Sequence, residues 1–394
     1  MTGIDRRGVL RGGLALGCSA AASPLMTPVA FARAPWDNRL VVIVLRGAMD
    51  GIDAIRPVGD PAYAALRPTL LRGGAATGPG FFALHPALDR LGPMWARGEF
   101  GAVHAVSTPY RDKRSHFDGQ DILEAGLPGL GGGTDGWLNR MLQAVPGLGG
   151  ETAYAVGRER MLILSGTATV QRWSPEARMR LTPQGRRLLE LVTHDDPLFR
   201  DATARAADLV EVLARETETD GPAMQGARRV DDHVQLAQFA AARLRGDTRI
   251  ASFSINGWDT HDRQAADLSK ALERLADTLL ALESGLGAAW GKTAVLCVTE
   301  FGRTARENGT GGTDHGTGGA MLFAGGALRG GRVLGDWPGL SEADLYDRRD
   351  LMPTRDVRAH AGWVMRGLFG LERGVIEGSV FPGLDMGGDP GLVA

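Results

Sequence analysis

The stretch "LVVIVLRGAMDG", residues 40–51, begins as a short apolar run rich in β-branched residues and ends in a glycine-containing turn. Such a run, bounded by turn residues, is typical of a strand that is buried on both faces of a sheet. Asp50 lies just past the predicted carboxyl end of this strand. Because open parallel sheets bind ligands outside the carboxyl ends of their strands, the stretch predicts a central strand and also the edge at which a functional site forms.

Four more apolar runs have the same character, and polar segments follow the first three; the runs are 98–106, 248–255, 292–299 and 319–326. Apolar residues at helical spacing lie between them, in 184–216 with a break near Pro197, in 231–245 and in 266–286. Strands that alternate with helices predict an α/β fold with a largely parallel central sheet flanked by helices.

The length, composition and net charge of the chain indicate a globular protein without a nucleic-acid partner. The chain has 394 residues, a hydrophobic fraction of 43% and 57 glycines. Lys plus Arg (44) nearly equals Asp plus Glu (46), and the net charge of −2 provides no basic field for a polyanion backbone. We expect residues 35–394 to form one domain, because the glycine-rich segments 126–136 and 145–150 are typical of loops within a domain.

The first 34 residues have the features of a twin-arginine signal peptide. Arg6 and Arg7 precede a weakly apolar stretch, and small-residue cleavage motifs end at Ala32 and Ala34. The stretch is too short and too rich in glycine to span a bilayer stably, which takes about 20 apolar residues. The sequence therefore predicts export in the folded state to the periplasm or the exterior, with the twin-arginine translocase as a transient partner. Without the signal peptide, Cys297 is the only cysteine, so no intrachain disulfide can form.

Two Asp/His pairs follow predicted strands and carry the ligand types of a metal site. Asp259 and His261 are two positions apart, so in an extended segment they point to the same side. Asp314 and His315 are adjacent, and the glycines of "GGTDHGTGG" around them permit a turn that directs both inward or divides them between two metals. Carboxylates and imidazoles suit Zn²⁺, Mn²⁺ or Fe²⁺. Each pair alone is also compatible with a solvated loop or, for Asp259, a helix cap; together they favour a metal site.

Three further charged residues lie at predicted strand ends. Glu300 directly follows an apolar run, where it is either a metal ligand or the first charged residue at the strand's exit into solvent. Arg303 is a candidate for orienting an anionic substrate or for pairing with Glu300. Asp50 is a candidate for a further metal ligand.

Two serines compete as candidate nucleophiles in the segment after the second predicted strand. Ser115 is a good N-cap for the helix that follows, and a helix N-terminus also stabilises an anion, so Ser115 with His116 behind it is one candidate. Ser107 is the other, with Arg111 to hold the anion. A third alternative is that the chain uses no covalent nucleophile. The motifs of α/β-hydrolases, phosphate-loop enzymes and nicotinamide enzymes are absent from the sequence.

Two other histidines lack a ligand-type companion at useful spacing. His104 lies within an apolar run and is predicted to be a hydrogen-bonded core residue. His360 comes late in the chain, where a histidine either packs in the interior or completes a metal site from afar.

These motifs, taken in order, resemble a bacterial family of exported proteins, the domain-of-unknown-function family numbered 1501. Together with the twin-arginine leader, the similar segments are "VIVLRGAMDGIDAIRP", "DPAYAALRP", "KRSHFDGQD", "GWDTH", "TEFGRTARENGTGGTDHGTGG" and "LRGGRVLGDWPGL". The resemblance covers essentially the whole mature chain. It implies the α/β sandwich of the alkaline phosphatase and sulfatase superfamily, usually two divalent metals on Asp and His ligands, and the hydrolysis or transfer of a phosphate or sulfate ester.

The resemblance also implies roles for individual residues. "TDHG" is similar to the superfamily's ligand pair and maps onto Asp314 and His315, "DTH" maps onto Asp259 and His261, and Asp50 takes the place of the first-strand ligand. The sulfatase nucleophile motif, Cys or Ser followed by x-Pro-x-Arg, matches only "STPYR" in this chain. The nucleophile is therefore the point at which the chain departs from the superfamily's pattern.

Two hypotheses follow from the sequence. The first is an exported hydrolase that uses divalent metal ions (Zn, Mn, Mg or Ca) to cleave a small anionic phosphate or sulfate ester. The alternative is a non-catalytic, metal- or ligand-binding exported protein of the same fold.

Overall fold

The structure is a computed structural model that describes residues 34–73, 80–111, 114–131, 133–145, 147–174 and 232–394. The predicted signal peptide lies outside the described residues except for Ala34, and the predicted helical segment 184–216 lies outside them entirely.

The strands of the described part are β1 (Arg39–Arg46), β2 (Ile55–Arg56), β3 (Ala83–Leu84), β4 (Phe100–Ser107), β5 (Ala153–Val156), β6 (Gln171–Trp173), β7 (Ile250–Asn256), β8 (Thr293–Val298), β9 (Gly319–Ala324), β10 (Val333–Leu334) and β11 (Arg355–Asp356). The α-helices are α1 (Gly51–Ala54), α2 (Tyr63–Leu66), α3 (Gly92–Ala96), α4 (His116–Ala125), α5 (Trp137–Gln143), α6 (Asp232–Arg245), α7 (Gln264–Leu286), α8 (Val357–Phe369) and α9 (Arg373–Val375). Short 3₁₀ helices cover Leu70–Gly73, Pro86–Leu91, Gly150–Thr152, Leu162–Leu164, Gly287–Lys292 and Glu342–Asp344, and a π-helical turn covers Ile376–Val380.

One sheet of nine strands forms the centre of the described structure. Its order is β10–β4–β9–β8–β1–β7–β5–β6, with β11 also paired to β4, while β2 and β3 form a separate pair. Every pairing in the large sheet is parallel except those of β9 with β4 and β8. The predicted α/β class with a largely parallel central sheet is therefore confirmed. Because β9 runs in the opposite direction, its amino end lies at the same edge as the carboxyl ends of β1, β4, β7 and β8.

Both faces of the sheet are covered, which explains why β1 reads as a continuous apolar run. Val42 and Val44 belong to one core together with residues of α5 and α8, whereas Val41 and Ile43 belong to a second core with residues of α6 and α7. Alternate side chains of a strand point to opposite faces, so a strand between two helical layers needs apolar residues at every position. Each fully buried aliphatic side chain contributes about 1.5–3 kcal/mol to folding, so these two cores supply most of the driving force that fixes the sheet.

The helices next to the site begin close to their predicted positions. Ser115 caps α4, with its Oγ accepting a hydrogen bond from the Asp118 backbone N–H at 3.4 Å. α7 begins at Gln264, after Arg263 in a left-handed conformation (φ +46°), so Asp259 does not cap this helix. In the described part of the chain, no helix combines the length and the apolar character that crossing a membrane requires.

Candidate metal centre

Three imidazoles and one carboxylate converge at the edge where β1, β4, β7 and β8 end. His261 Nε2 lies 3.1 Å and His315 Nε2 lies 3.2 Å from Asp259 Oδ1, and His116 Nε2 lies 3.4 Å from Asp259 Oδ2. The Nε2 atoms of His261 and His315 are 2.9 Å apart. Possible ligand atoms of His116, Asp259 and His315 all lie within 4.8 Å of one another. The structure thus brings the "DTH" and "TDHG" segments together and adds His116, which the sequence placed beside a nucleophile.

The outer nitrogen of each ring has its own partner. The three Nδ1 atoms face Glu300 Oε1 (from His116, 2.8 Å), the carbonyl oxygen of Arg114 (from His315, 2.9 Å) and Asp314 Oδ1 (from His261, 3.4 Å). Outer partners of this kind fix the tautomer and the orientation of metal-binding histidines. The arrangement leaves all three Nε2 atoms directed toward Asp259.

The inner nitrogen of His116 indicates what the cluster is built to hold. His116 Nε2 is buried and has no hydrogen-bond partner among the described residues, although it faces Asp259 Oδ2. A buried polar atom without a partner is costly, and a cation between this nitrogen and the carboxylate would satisfy both. A set of three imidazoles and one carboxylate suits Zn²⁺ better than Mn²⁺, Mg²⁺ or Ca²⁺, which prefer oxygen ligands. The donor set therefore fits a divalent transition metal.

The electrostatics of the cluster keep its carboxylates ionised. Partial burial acts to raise the pKa of Asp259, but contacts with His116, His315 and the Arg303 guanidinium hold it well below its usual range. Burial likewise opposes ionisation of Glu300, yet its hydrogen bonds, first among them that with His116, lower the pKa of its carboxyl. The contacts with Asp259 and Glu300 in turn raise the pKa of His116 to about 9. In the metal-free protein the charged His116 ring therefore lies between two ionised carboxylates, where a divalent cation would replace its proton.

A tight turn after β1 contacts Arg303 and Glu300, the two residues that hold members of the cluster in place. Gly47 (φ +119°) and Ala48 (φ +58°) adopt left-handed conformations, so their carbonyl oxygens accept hydrogen bonds from Arg303 Nη2 (2.7 Å) and Nε (2.8 Å). The Gly47 N–H donates to Glu300 Oε1 at 2.9 Å. Arg303 Nη2 then reaches Asp259 Oδ1 at 2.5 Å. The turn therefore positions the two residues that orient Asp259 and His116.

Arg303 and Glu300 consequently have other roles than those the sequence predicted. The Arg303 side chain is fully buried, and its N–H groups donate to backbone carbonyls and to Asp259. It therefore cannot bind an anion from solvent. Glu300 is also fully buried, and its oxygens contact His116 Nδ1 and accept hydrogen bonds from Gln120 Nε2 and Thr299 Oγ1. Both residues are supports of the cluster, one for Asp259 and the other for His116.

Asp50 is a second correction, because it lies inside the fold and away from the ligand atoms. Its Oδ1 accepts hydrogen bonds from two backbone N–H groups at the start of α1. Its Oδ2 contacts Arg67 Nη1 at 2.7 Å, Gln264 Nε2 at 2.8 Å and Thr313 Oγ1 at 3.2 Å, and both Asp50 and Arg67 are fully buried. Asp50 is therefore a helix cap and an ion-pair partner that ties α1 to the "TDHG" loop.

Neither candidate serine is among the groups that converge on Asp259. Ser115 Oγ caps α4, and Ser107, the last residue of β4, is almost fully buried. Arg111 turns back onto its own loop: its Nη1 donates to the Tyr110 carbonyl at 2.7 Å and lies 3.3 Å from Ser107 Oγ. The predicted roles of Ser107 and Ser115 as nucleophiles and of Arg111 as the anion holder gain no support from these contacts.

The glycines around "TDHG" serve close packing rather than flexibility. A Cβ atom at Gly312 would lie 2.3 Å from the His261 carbonyl oxygen, and one at Gly316 would lie 2.4 Å from that of Arg303. Neither glycine has a positive φ. The "DTH" loop and the "TDHG" loop therefore touch backbone to backbone, which is the condition for bringing His261 and His315 within contact of each other.

Asp314, a predicted ligand, lies on the outer side of His261. Its Oδ1 faces His261 Nδ1 and accepts a hydrogen bond from Asn308 Nδ2 at 3.1 Å, and the Asn308 amide lowers the pKa of the Asp314 carboxyl despite some burial. Asp314 is exposed and lines a cleft of about 480 Å³ beside the cluster. In this position it orients His261 and faces solvent.

The sequence analysis did not identify Arg114, Arg349 and Asp350, which surround His315. The Arg114 carbonyl faces His315 Nδ1, and Arg349 Nη1 donates to the His315 carbonyl at 3.0 Å. Both guanidinium groups contact the buried carboxylate of Asp350. The only available signal was the charged run "DRRD" at 347–350, which is also typical of a solvated loop.

The remaining histidines of interest are in the interior. His104 is buried in β4, with its Nε2 3.0 Å from the Ile55 carbonyl and its Nδ1 accepting from the Ala105 N–H, as a core histidine requires. His360 is buried in α8 and neither of its ring nitrogens has a hydrogen-bond partner among the described residues. His360 is not part of the group that meets at Asp259.

Comparison with known families finds one match. The family model described as "Protein of unknown function (DUF1501)" matches residues 107–362, which include every residue that converges on Asp259. No curated protein is detectably similar to the chain.

Solved structures with a similar arrangement come from the alkaline phosphatase superfamily. A member of that superfamily from Vibrio parahaemolyticus is 13% identical over 78% of this chain and 67% of that chain, with a TM-score of 0.36. The alkaline phosphatase of Thermus thermophilus is 13% identical over 70% of this chain and 63% of its own, with a TM-score of 0.31. The C-terminal periplasmic domain of EcEptC from Escherichia coli, solved in complex with Zn, is 12% identical over 73% of this chain and 72% of that chain, with a TM-score of 0.29.

Proposed function

We propose that this chain, which belongs to the DUF1501 family of proteins of unknown function, is a metal-dependent hydrolase of phosphate or sulfate esters. The observation that carries the proposal is the convergence of three imidazole Nε2 atoms on the one carboxylate of Asp259. The buried Nε2 of His116 supports the same proposal, because it makes no hydrogen bond within normal geometry among the described residues and faces only the Asp259 carboxylate, at 3.4 Å.

The ligands we propose are Asp259, His116, His261 and His315. A divalent cation held there would supply Lewis acidity toward an ester oxygen and would lower the pKa of a water molecule toward about 7. The chain's own contribution is orientation: Glu300 fixes the ring of His116, and the Arg114 carbonyl fixes that of His315. Such outer contacts typically change metal affinity or activity by about 10–100-fold.

A water molecule as the attacking group fits the surroundings better than a serine does. Ser115 Oγ caps α4 and Ser107 is almost fully buried, so neither hydroxyl contacts an imidazole that would accept its proton. Asp259, His261 and Asp314 have partly exposed side chains, so solvent and a small anionic ester reach the cluster. We therefore propose direct hydrolysis rather than a covalent intermediate.

The wider setting is part of the same proposal. We propose that residues 1–34 direct the chain through the twin-arginine translocase, and that residues 35–394 act as one domain in the periplasm or outside the cell. The nitrogen-rich ligand set makes Zn the first choice among the candidate metals, ahead of Mn, Mg and Ca.

A second candidate function follows from the serine positions. Because neither Ser107 nor Ser115 contacts an imidazole of the cluster, the same ligands would also suit an exported protein that binds a metal without turnover. This alternative differs from the first in a single property, which is the cleavage of an ester by the metal-loaded protein.

The test combines metal analysis with an ester panel. Purified protein should bind one or two equivalents of Zn or Mn and should cleave at least one phosphomonoester, phosphodiester or sulfate ester in a reaction that a chelator abolishes. Stoichiometric metal with no turnover on any ester would favour the non-catalytic alternative. Absence of any bound metal under saturating conditions would exclude both functions.

A further inference from the structure

We propose that Arg114 and Arg349 form a clamp that binds a tetrahedral oxyanion beside His315. The ligand is the phosphate or sulfate group of an organic ester, so this inference rests on the proposed function and assigns its substrate-binding residues. The anion-binding role thus goes to these two arginines instead of Arg111 and Arg303. The guanidinium groups of Arg111 and Arg303 face backbone carbonyls of the protein itself.

The clamp is held by one buried carboxylate. Arg349 Nη1 lies 2.8 Å from Asp350 Oδ1, and Arg114 Nη2 lies 3.5 Å from Asp350 Oδ2. Asp350 is fully buried, and its Oδ2 also accepts a hydrogen bond from Thr317 Oγ1 at 2.9 Å. Two guanidinium groups thus share one carboxylate, which holds them next to each other.

Both arginines are tied to the candidate metal ligand His315. The Arg114 carbonyl lies 2.9 Å from His315 Nδ1, and Arg349 Nη1 donates to the His315 carbonyl at 3.0 Å. An anion bound to the two guanidinium groups is therefore next to a residue whose Nε2 faces Asp259. A charged ester that binds there would have its phosphate or sulfate group next to the proposed metal ligands.

Each arginine keeps donors free for a ligand. The side chains of Arg114 and Arg349 are 35% and 36% exposed, so both reach solvent. The contact of the Arg114 side chain to Asp350 uses only Nη2. A guanidinium carries five N–H donors in a fork that matches the oxygens of phosphate or sulfate. The contacts of the Arg349 side chain to Asp350 and His315 use only Nη1.

The backbone around the clamp is strained in a way that fixes the arginines. Arg114 has φ +51°, and Asp347 and Arg348, directly before Arg349, have φ +50° and +54°. Backbone hydrogen bonds between Tyr346 and Asp350 in both directions close this turn. A non-glycine residue at positive φ is uncommon and persists only when its surroundings impose it, often at ligand sites. Here the strain places both guanidinium groups on the same carboxylate.

The cleft beside the cluster is the place for the organic part of the ester. Arg349 and Asp314 both line it, and its apolar lining comes from residues such as Leu66, Leu340 and Leu345. Its volume of about 480 Å³ is within the range of small-molecule sites. An anion held at Arg349 would thus extend its organic group into this cleft.

The experiment measures binding of inorganic phosphate and of inorganic sulfate to the metal-loaded protein by calorimetry. Arg114→Gln and Arg349→Gln should each weaken the preferred anion by about 10–100-fold, as expected for loss of a charged hydrogen-bonding partner, while metal content stays unchanged. Arg97→Gln is the matched control, because the Arg97 side chain is 46% exposed, pairs with Glu99 and Glu283 and does not line this cleft. Comparison of the two anions identifies which ester class the clamp prefers.

Two results would overturn the clamp. One is that the wild-type protein binds neither anion; the other is that the Gln variants of Arg114 and Arg349 bind as well as the Arg97→Gln control. If a Gln variant does not fold, Arg114→Lys and Arg349→Lys keep the charge but lose the two-point fork, and they should weaken binding by about tenfold. Failure of the proposed hydrolase is distinguishable, because it leaves arginine-dependent anion binding intact without ester turnover.

Discussion

The histidines at the sheet edge and those in the interior differ in what their ring nitrogens contact. At the edge, contacts with Asp259 and Glu300 raise the pKa of His116 to about 9. In the interior, burial lowers the pKa of His104 to about 4, although one nitrogen contacts a backbone carbonyl. Burial, assisted by the charge of Arg355, lowers the pKa of His360 to about 3. A carboxylate partner, rather than burial, therefore distinguishes a candidate ligand from a packing histidine.

The strongest test of this contrast removes the shared carboxylate. Asp259→Asn should reduce affinity for Zn²⁺ or Mn²⁺ by more than about a hundredfold, because loss of an outer partner alone costs about 10–100-fold. Metal titration by calorimetry with a competing chelator would measure the loss. Asp262→Asn is the matched control, since Asp262 is exposed and contacts only Arg263 in the described ion pairs. Equal metal affinity of Asp259→Asn and the control would remove Asp259 from the ligand set.

A finer test leaves the ligands in place and removes the partner of His116. Glu300→Gln keeps the size of the side chain but removes the charge that orients the ring, so metal affinity should fall by about 10–100-fold. Glu372→Gln is the control, because the Glu372 side chain is 83% exposed and pairs with Arg366, which does not belong to the cluster. An unchanged affinity in Glu300→Gln would mean that the carboxylate–histidine contact is not part of a metal site.

The free energy of unfolding of the metal-free protein should depend on pH in opposite ways for the histidines at the sheet edge and for those in the interior. The folded pKa of His116 lies above the usual histidine value of 6.5, so its charged form stabilises the fold below pH 6.5, and this stabilisation is lost as the pH rises through about 9. We expect a decrease of about 1–2 kcal/mol in the free energy of unfolding between these values, less than the full linkage because the ring is partly exposed. Urea unfolding in chelator would measure it, and the slope should vanish in His116→Gln. A free energy that stays constant over this window in the wild type would contradict the assignment.

The smallest effect is expected in the interior. His360→Leu removes a buried ring that has no hydrogen-bond partner among the described residues, so it should increase the free energy of unfolding at pH 7 by about 1 kcal/mol. The gain should grow as the pH falls from 6.5 toward 3, because the depressed pKa of His360 costs the wild type stability in that range. His104→Leu is the comparison variant: it leaves the Ile55 carbonyl and the Ala105 N–H without their partner and should destabilise. If His360→Leu loses stability at both pH values, the ring has a partner that the described contacts do not include.

Much of the fold could be predicted from the apolar pattern. The run at 40–45 and the amphipathic segment at 231–245 correspond to Arg39–Arg46 and Asp232–Arg245, because a buried strand and an amphipathic helix leave different spacings of apolar residues. The direction of β9 was not predictable in this way. Period-2 and continuous apolar patterns are the same for parallel and antiparallel strands, and only the finished sheet reveals that β9 brings "TDHG" to the common edge.

The site was predictable in its residue types and not in their division of roles. Asp259, His261 and His315 follow from the rule that ligands gather at strand ends. Glu300 and Arg303 have the same residue types as ligands and anion holders, yet they are buried supports. Their role depends on the left-handed conformation of Ala48, an alanine with no local signal for positive φ. Conformation imposed by tertiary contacts is not encoded in the short motif that contains it.

The residues that meet at Asp259 come from three segments that are far apart in the chain, so the metal ligands come together only when the chain has folded. An unfolded chain holds no comparable set of donors, so a cation that binds only the finished structure shifts the folding equilibrium toward it. An ion at a thousand times its dissociation constant would add about 4 kcal/mol to the free energy of unfolding. On the proposed export in the folded state, such an ion would raise the fraction of chains that are folded when they reach the translocase.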